Sequence, residues 1–419
     1  MIEGVRYLSI DSAPQKGTLF INQIRSVKLP NTIWRQGTRL LSKEFSINSI
    51  FFLQAVASGG LFTRIPDIQR ELGLSESELG LTLAAQPIGG FFSFLIASLI
   101  VERAGAKIVC ILGVPMLAAA SAMFASAPDL PVAIVSLLIF GMSFSVVNVA
   151  MNVEADRIEA SLGRRVMSRC HGYWSLGFLA ASIIGVLSTG IGLSAGLHLV
   201  LVVPLVILGI ILTVMPLSES EPRRHQGQDG PSMVTLPSLA TLGIVCFGLL
   251  GSVLQGGTQN WSVIYMRQSF EVPDWMDALT IPVFLIALTC GRLSGDVWLN
   301  RFGVLRVAFC LVTSALIGVL TVVMAGSYGL ALAGFALIGL GVSIIFPMMV
   351  TAAAALGDRA ASANVAAVTM TTGIGMLAVP PIMGFVAENY GIRAAFAALI
   401  PAFVLAYATI RNIVPKQSN

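Results

Sequence analysis

Carboxamide side chains stand within long apolar stretches of this sequence, and they are the groups best suited to binding a solute. Asn148 and Asn152 are four residues apart, as are Gln255 and Gln259, so each pair shares one face of a helix. Amides combined with an aromatic surface suit a neutral, hydroxyl-rich solute. Taken singly, any amide could instead join neighbouring helices through a hydrogen bond worth about 1 kcal/mol. As a set they predict a solute-binding cavity with these members: Gln54, Gln86, Asn148, Asn152, Trp174, Gln255, Gln259 and Asn260.

An aromatic pair, Tyr173 and Trp174, could offer a ring face to such a solute. The two side chains point in different directions on a helix, so at most one of them lines the cavity, and we favour Trp174. The alternative is an anchor at the membrane surface, where Trp and Tyr are enriched. No Lys or Arg lies near the expected membrane midplane, which disfavours a site for an anionic substrate.

Two titratable residues, Glu154 and His171, lie near the ends of consecutive apolar stretches. The pKa of an unperturbed imidazole is about 6.5, and a carboxyl group in a low-dielectric site titrates upward. Either residue could therefore carry a proton during a transport cycle. The competing interpretation is a gate, in which Glu154 pairs with Arg157, or with one of Arg164 and Arg165. The sequence leaves both interpretations open.

Further charged residues occupy predicted helix ends near the same membrane surface. Arg292 and Asp296 are four residues apart, and a mutual ion pair or extension of the charged ends toward water explains them. Glu102 and Arg103 follow one apolar run, and Asn300 and Arg301 follow another. Basic side chains at such positions help to fix the orientation of a membrane protein.

The residue types predict neither a metal site, nor a cofactor, nor an enzyme. The chain has 5 Cys and 3 His, which are dispersed, and no CxxC or other ligand spacing occurs. The cysteines lie in or beside apolar segments and are expected to be small packing residues. No paired carboxylates, nucleophile triad or phosphate-binding loop stands where water would reach it.

The elements that must position these residues are long apolar helices. Of the 419 residues 56% are hydrophobic and 11% charged, and the mean hydropathy is +0.85. A soluble domain carries about 25% charged residues, and a backbone in lipid must form helices or a closed barrel. The apolar runs lack the alternation of barrel strands and suit helices of about 20 residues. We predict an all-α membrane protein with twelve transmembrane helices, at 46–65, 79–101, 106–125, 131–155, 169–190, 196–217, 236–260, 276–298, 304–325, 328–352, 364–387 and 391–412.

The two halves of the chain repeat each other at an offset of 198 residues. A period this long indicates two whole domains rather than a solenoid, and many secondary transporters consist of two similar halves. The matching positions are Leu81–Thr82 with Leu279–Thr280, Gly105 with Gly303, Gly141 with Gly339, Ser145 with Ser343, and Gly177 with Gly375.

A polar, charged and Pro/Gly-rich stretch from Ser218 to Met233 separates six predicted helices from six others and suits a linker. No signal-peptide core precedes the first helix, and a short amphipathic helix is expected near Trp34–Leu41. The predicted division is a tail at 1–45, a first six-helix bundle at 46–217, a linker at 218–235, a second bundle at 236–412 and a tail at 413–419.

The distribution of basic residues predicts the orientation. Of the 25 Lys and Arg, only Arg64, Arg70, Arg267 and Arg393 fall on the side opposite the termini. The positive-inside rule therefore predicts that both termini and the linker lie in the cytoplasm. This asymmetry accounts for the net charge of +4 without a nucleic-acid partner.

The twelve predicted helices differ in polarity. Helices 3, 6, 9 and 12 hold no amide or charged residue in their interiors, whereas helices 1, 2, 4, 5, 7 and 8 hold most of them. A polar group facing lipid is costly. The apolar helices are therefore expected to face lipid while the others enclose a central path.

Several short motifs occur in order along the chain from about residue 46 onward. The loop Ser98–Lys107 carries a Glu-Arg-Ala-Gly sequence after the second predicted helix. The remaining motifs are Arg64-Ile-Pro66, Asn148-Val-Ala-Met-Asn152, Gly163-Arg-Arg165 followed by His171-Gly-Tyr-Trp-Ser-Leu-Gly177, Trp261-Ser-Val-Ile-Tyr265 after the seventh helix, and Pro380-Pro-Ile-Met-Gly-Phe-Val-Ala387. In these motifs the chain resembles the major facilitator superfamily, and within it the bacterial inner-membrane members related to fucose permease.

The resemblance implies the major facilitator fold, two six-helix repeats that rock about a central site. It implies that Glu102, Arg103 and Arg301 latch neighbouring helices in one access state. It also implies acidic residues near Gln255 and Asn260, where this chain has amides; a proton-coupled mechanism must then use Glu154 or His171.

Three functions are compatible with these features. The first is a secondary transporter, expected to be monomeric, for a small polar and neutral, sugar-like solute, with proton coupling left open. The second is an exporter of amphiphilic drugs or toxins on the same fold, suggested by 22 Phe and 16 Met. The third is a non-transporting membrane sensor.

Overall fold

The computed structural model describes residues 31–217 and 237–414, and every regular element in this part is a helix. The predicted linker, most of the amino-terminal tail and the last residues lie outside the described part. Twelve helices are long and apolar enough to span a membrane, as predicted. They are α1 (Lys43–Thr63), α2 (Glu76–Ala104), α3 (Ala106–Ala125), α4 (Leu130–Leu162), α5 (Met167–Gly190), α6 (Ala195–Thr213), α7 (Leu239–Ser269), α8 (Asp274–Phe302), α9 (Val304–Met324), α10 (Tyr328–Ala354), α11 (Ala363–Tyr390) and α12 (Ile392–Ile413).

The predicted helix ends are accurate to a few residues, except that α4 and α7 extend further than predicted. The helix of α7 continues to Ser269, so Trp261 and Tyr265 lie within it and not after it. Both side chains are fully buried, and the Tyr265 hydroxyl donates to the carbonyl of Val322 at 2.5 Å. The polar residues at 255–260 suggested a helix end, but tertiary packing covers the turns that follow.

Several helices are irregular at positions marked in the sequence. The α1 span is the later part of a helix that begins at Asn31; its last turn, Gly60–Thr63, is a 3-10 turn, and a short helix, Ile65–Leu72, follows. In α11 the regular helix is interrupted at Ala378, next to Pro380 and Pro381, whose pyrrolidine rings disfavour a continuous helix. The helix of α11 therefore consists of two regular segments on either side of Ala378.

The internal repeat is visible in backbone geometry. Gly105 and Gly303, which are equivalent by the 198-residue offset, separate consecutive helices with φ of 87° and 80°. This region of φ favours glycine, because a side chain would crowd the backbone. Within each half, α2 packs on α4 as α8 packs on α10. At both contacts the equivalent glycine, Gly141 or Gly339, lies against the facing helix so closely that a Cβ atom would meet a backbone carbonyl oxygen.

The two six-helix halves touch mainly through α2 with α11 and through α5 with α8. These contacts lie toward the end that carries residues 64–75 and 270–274, which we call the closed end. Toward the opposite, open end, the last turns of α2 bury only Ser93, Ala97 and Val101. These three are spaced four apart and form a single stripe, so the other faces of α2 are exposed there.

The helices that contain few polar residues lie at the outside of the bundle. No residue of α3, α6, α9 or α12 is among the described residues that line the cavity between the halves. In α6 the apolar side chains of Leu201, Leu205, Leu208 and Leu212 are each at least 50% exposed. A helix with such a surface is stable only against lipid or another apolar partner. This arrangement agrees with the prediction from helix polarity.

Candidate functional site

A cavity of about 270 Å³ lies between the two halves, beyond the seam at the closed end. Residues of α1, α2, α4 and α5 form one wall, and residues of α7 and α11 form the other. None of the described residues that line it is charged. The lining consists of Phe62, Gln86, Pro87, Gly90, Phe140, Gly141, Phe144, Trp174, Phe178, Gln255, Gly256, Gln259, Asn260, Met376, Val379 and Pro380.

The first half contributes an aromatic surface. The rings of Trp174 and Phe178, one turn apart on α5, have centroids 5.3 Å apart and planes inclined by 32°. Phe178 in turn stacks on Phe62 at 5.7 Å and 30°. On α4, Phe140 and Phe144 stack at 6.3 Å with planes only 14° apart. Of these five rings, Trp174 and Phe144 are half-buried at the cavity, whereas Phe62, Phe140 and Phe178 are at most 6% exposed and support them.

Trp174 is held by a residue of the predicted set. Its indole Nε1 donates a hydrogen bond of 2.6 Å to Oε1 of Gln54, which is fully buried on α1. Gln54 therefore lies behind the wall and supports it instead of contacting the cavity. Its Nε2 has no hydrogen-bond partner among the described residues.

The second half contributes most of the amides. Gln255, Gln259 and Asn260 of α7 all line the cavity. The Asn260 amide nitrogen donates to the carbonyl of Gly256 at 2.9 Å, while its buried Oδ1 accepts no hydrogen bond within the described residues. From the first half, Gln86 is at the cavity surface because α2 approaches α4 closely at Gly141.

The two asparagines of α4 are not in this lining. Asn148 and Asn152 lie one and two turns beyond Phe144, toward the open end, and both are half-buried. Asn152 Nδ2 donates to the backbone carbonyl of Asn148 at 2.8 Å. Five of the eight predicted binding residues thus line the cavity: Gln86, Trp174, Gln255, Gln259 and Asn260. Gln54 supports the wall, and the asparagine pair of α4 lies nearer the open end.

The two candidate proton carriers are in different environments. Glu154 is buried on α4, and its carboxylate lies 3.7 Å from the guanidinium of Arg157. His171 is exposed, and its ring meets that of Phe51 edge-on at 5.3 Å. The helices that carry them, α4 and α5, make a small contact with each other; α4 packs mainly on α2 and α3, and α5 packs mainly on α1.

The other charged residues of the open end have different partners from those expected. Arg164 and Arg169 both bind the buried carboxylate of Glu44, so Arg164 is not a partner of Glu154. No ion pair within 4.0 Å joins Arg292 to Asp296 in the described structure, and Arg292 Nε donates to the carbonyl of Ser343 at 3.2 Å.

The proposed latch residues make few contacts. Glu102 and Arg103 are exposed, and no ion pair is formed by either in the described part of the chain. The guanidinium of Arg301, also exposed, lies 5.4 Å from the ring centroid of its neighbour Phe302. A latch that these residues form would belong to the state in which this end is closed.

The closed end carries a cluster of charges that sequence analysis missed. Arg267 of α7 contacts Asp67 Oδ1 at 2.8 Å, Asp277 Oδ2 at 3.3 Å and Asp274 Oδ2 at 3.5 Å. Asp67 and Asp277 are 4% and 1% exposed, and a buried carboxylate requires such compensation. We call this group the closed-end ion cluster: Arg64, Asp67, Arg70, Arg267, Asp274 and Asp277.

The cluster joins the two halves through the contacts of Arg267 with Asp67 and of Arg70 with Asp274. Within the first half, Arg64 holds Asp67 in place. Arg64 Nε lies 3.0 Å from Asp67 Oδ2, and its Nη1 donates to Thr189 Oγ1 at 2.5 Å. Burial lowers the pKa of Arg64 from its ordinary value, and the neighbouring Asp67 opposes this shift. A signal was present in the sequence, since Arg64, Arg70 and Arg267 are three of the four basic residues predicted on this side. Arg64 pairs with Asp67 of its own half, whereas Arg267 meets Asp67 of the other half across 200 residues of chain, which depends on packing.

Beside the cluster, hydrogen bonds and close helix packing join the two halves at the same end. The amide of Ser77 donates to Oε2 of Glu388 at 2.8 Å, and Gln268 donates to Glu76 at 2.8 Å. At Gly80, a Cβ atom would lie 2.6 Å from the carbonyl oxygen of Pro380. The helices α2 and α11 therefore meet at van der Waals distance only because residue 80 lacks a side chain.

Comparison with known proteins agrees with this geometry. The family model of the Major Facilitator Superfamily matches residues 47–296. An uncharacterized MFS-type transporter of Yersinia pestis is 26% identical over 375 residues, which cover 89% of this chain and 96% of that one. A variant of the nucleoside transporter NupG matches with a TM-score of 0.74 at 17% identity, covering 88% of this chain and 99% of that one.

FucP, a transporter of the same superfamily solved in an outward conformation, matches with a TM-score of 0.58 at 17% identity and covers 90% of this chain and 100% of its own. At these identities the structural likeness shows the fold. The match of the family model spans more than half of the chain, which confirms the resemblance drawn from the motifs. The protein is therefore a multi-pass membrane transporter that belongs to the Major Facilitator Superfamily.

Proposed function

We propose that this protein is a secondary transporter of a small, polar, neutral solute across the cytoplasmic membrane. The observation that carries the proposal is the uncharged cavity between the halves, to which both halves contribute side chains. A site shared by two rigid halves can be exposed first to one side and then to the other as they rock. Among proteins of similar fold, NupG is a nucleoside transporter, which supports a neutral substrate.

We further propose that the structure corresponds to an inward-open state. With the termini in the cytoplasm, as the distribution of basic residues predicts, the closed-end ion cluster faces the outside. It then acts as the outer gate, which must break before the solute can reach the cavity from that side. The protein works as a monomer in this proposal, because one chain supplies both walls.

A binding screen followed by a transport assay tests the proposal. A ligand that binds the folded state raises its apparent stability, so the purified protein is screened by thermal shift against neutral sugars, polyols and nucleosides, with anionic analogues as controls. Hits are then tested for counterflow in proteoliposomes. Stabilisation by neutral solutes that also exchange across the membrane is expected. Stabilisation by anions alone, or binding without exchange, would contradict it.

The aromatic surface gives some support to the alternative, export of an amphiphilic drug or toxin. Five rings on one wall offer an apolar patch that such a compound could use. Cells that express the protein would then resist toxic amphiphiles, and the neutral polar solutes would not stabilise it. Growth inhibition and thermal shift together separate the two functions.

For proton coupling we propose Glu154 as the first residue to test. It is a buried carboxylate on α4, and the guanidinium of Arg157 lies 3.7 Å from it. The amides Gln255 and Asn260 cannot exchange a proton in the cavity. His171 is the second candidate, at the open end.

A further inference from the structure

The two walls of the cavity differ in chemistry, and this difference bears on which neutral solute fits. All five rings in the lining belong to the first half. Three of the four carboxamides belong to α7 of the second half. A free sugar can lay only a small C–H face on the aromatic side, whereas a planar ring contacts it with a whole face.

We infer that the solute consists of a planar, uncharged aromatic ring joined to a hydroxyl-bearing group, as in a nucleoside or an aryl glycoside. Its ring lies on the aromatic surface of the first half, and its hydroxyls bind the amides of α7. This inference rests on the proposed function of the cavity and specifies the class of its substrate.

The aromatic wall is built to present ring faces. The indole N–H of Trp174 is already bound to Gln54 inside the wall, so that polar edge is not available to a solute. Phe178 and Phe62 are buried behind Trp174 and hold its ring by stacking, so the carbon surface that the cavity reaches is that of Trp174 and, on α4, of Phe144. Aromatic faces of this kind bind the faces of planar rings.

The amide wall offers unused hydrogen-bonding groups. Within the described residues, the side chains of Gln86, Gln255 and Gln259 make no hydrogen bond, although all three lie at the cavity surface. Asn260 has a free, buried acceptor in Oδ1. A carboxamide both donates and accepts, so it can pair with a hydroxyl group in either sense. Buried polar groups are normally satisfied, and a polyhydroxyl ligand would satisfy these.

Charge and size limit the ligand further. No charged residue among those described in the lining could neutralise a phosphate or carboxylate, so nucleotides and acidic glycosides are excluded. The volume of about 270 Å³ is slightly below the range of about 300–1,000 Å³ typical of sites for drug-sized ligands. One planar ring and one sugar ring fit this size, whereas larger glycosides do not.

Pairs of compounds that share their hydroxyl groups test the inference. The purified full-length protein is titrated with uridine against methyl β-D-ribofuranoside, and with phenyl β-D-glucopyranoside against methyl β-D-glucopyranoside. In at least one pair the member with the aromatic ring is expected to bind about tenfold more tightly or better, the size of a base-stacking contribution.

Two matched variants assign the selectivity to the walls. Trp174→Leu is expected to bring the ratio of affinities within a pair close to one, because it removes the ring surface. Gln259→Leu is expected to weaken both members of the pair by a similar factor. The ratio of affinities within a pair is measured on folded protein, so a lower yield of a variant does not affect it. If Trp174→Leu fails to fold, Phe144→Leu is used in its place.

The outcomes separate this inference from the proposed function. Equal binding of both members of each pair, or an unchanged ratio in the Trp174 and Phe144 variants, would overturn the inference and leave a transporter of polyols or sugars. Binding of neither member, with binding of charged or purely lipophilic compounds, would overturn the proposed function and the inference with it.

Discussion

The seam between α2 and α11 allows a sharp test of alternating access through Gly80→Ala. In the structure the new Cβ would lie 2.6 Å from the carbonyl oxygen of Pro380, and 3.1 Å from the Cα of Gly384. Both are backbone atoms of the other half, so no side chain can rotate away. Ordinary contact begins at 3.4 Å, and the helices must separate by about 0.8 Å to reach it.

This separation affects neighbouring contacts as well. The hydrogen bond of 2.8 Å from Ser77 to Glu388 would be stretched beyond the 3.5 Å limit of a hydrogen bond. Overpacking costs about 1–3 kcal/mol. Because the clash exists only when this end is closed, the whole cost falls on that state. The ratio of closed to open molecules at this end should fall by about 5- to 150-fold.

Distances between spin labels measure the shift directly. Glu71 and Glu271 are exposed at the closed end, one in each half, and can be replaced by labelled cysteines after removal of the 5 native ones. Gly80→Ala is expected to add a population with a longer distance between the labels. The control is Gly90→Ala, on the same helix, whose Cβ would meet its nearest atom at an ordinary 3.5 Å. If both variants give the distance distribution of the parent, closure of this seam is not state-dependent and the reasoning fails.

Four further predictions address the gate, the helix packing, the coupling group and the topology. Arg267→Gln removes the contact with Asp67 of the other half and leaves Asp277 buried without its cation, while Asp67 keeps Arg64. The cost of up to about 3–5 kcal/mol should open the closed end in the same spin-label assay. Arg70→Gln, whose side chain is 64% exposed, should cost at most about 1 kcal/mol and change little. Gly141→Ala places a Cβ against the Gln86 carbonyl within one half, so it should lower the thermal stability of the protein by about 1–3 kcal/mol. Gly172→Ala, with no atom within 4 Å, should not, and equal melting temperatures would contradict this packing argument. Glu154→Gln should abolish uphill accumulation but spare counterflow, and His171→Gln should flatten the pH dependence of transport; normal accumulation and pH dependence in both would exclude these residues as coupling groups. Cysteines at Ser126 and Ser194 should be labelled from outside intact cells and one at Ser232 should not, whereas the opposite pattern would reverse the topology.

The helices and their order could be read from the sequence because the membrane restricts the backbone. Apolar runs such as Ile108–Ala125 have no stable conformation in lipid other than a helix. Gly105 and Gly303 repeat at a fixed offset and adopt the same left-handed φ, so the internal repeat was also fixed locally. Because polar groups are costly in lipid, the concentration of amides in a few helices predicted a central path. Of the six polar helices, α1, α2, α4, α5 and α7 contribute to the described lining, α8 does not, and α11 completes it.

Only the tertiary structure decided which polar residues meet. Helical spacing placed Gln255 and Gln259 on one face, and this face does line the cavity. The same spacing placed Asn148 and Asn152 together, yet they lie toward the open end, and Gln54 supports Trp174 from behind. Spacing along a helix determines which side chains share a face. It does not determine where along the helix the cavity lies, or which neighbouring side chain covers that face.

Charged partners depended on packing even more strongly. The sequence suggested Glu154 as a partner of Arg164, but Arg164 binds Glu44, 120 residues away. Arg267 meets Asp67 across 200 residues and between the two halves. Such pairs form where helices from distant parts of the chain end at the same depth, and an inter-half pair exists only while that end is closed. The sequence by itself therefore determined the helices, their repeat and the polarity of each one, whereas the cavity wall and the gate follow from how the two halves pack in one access state.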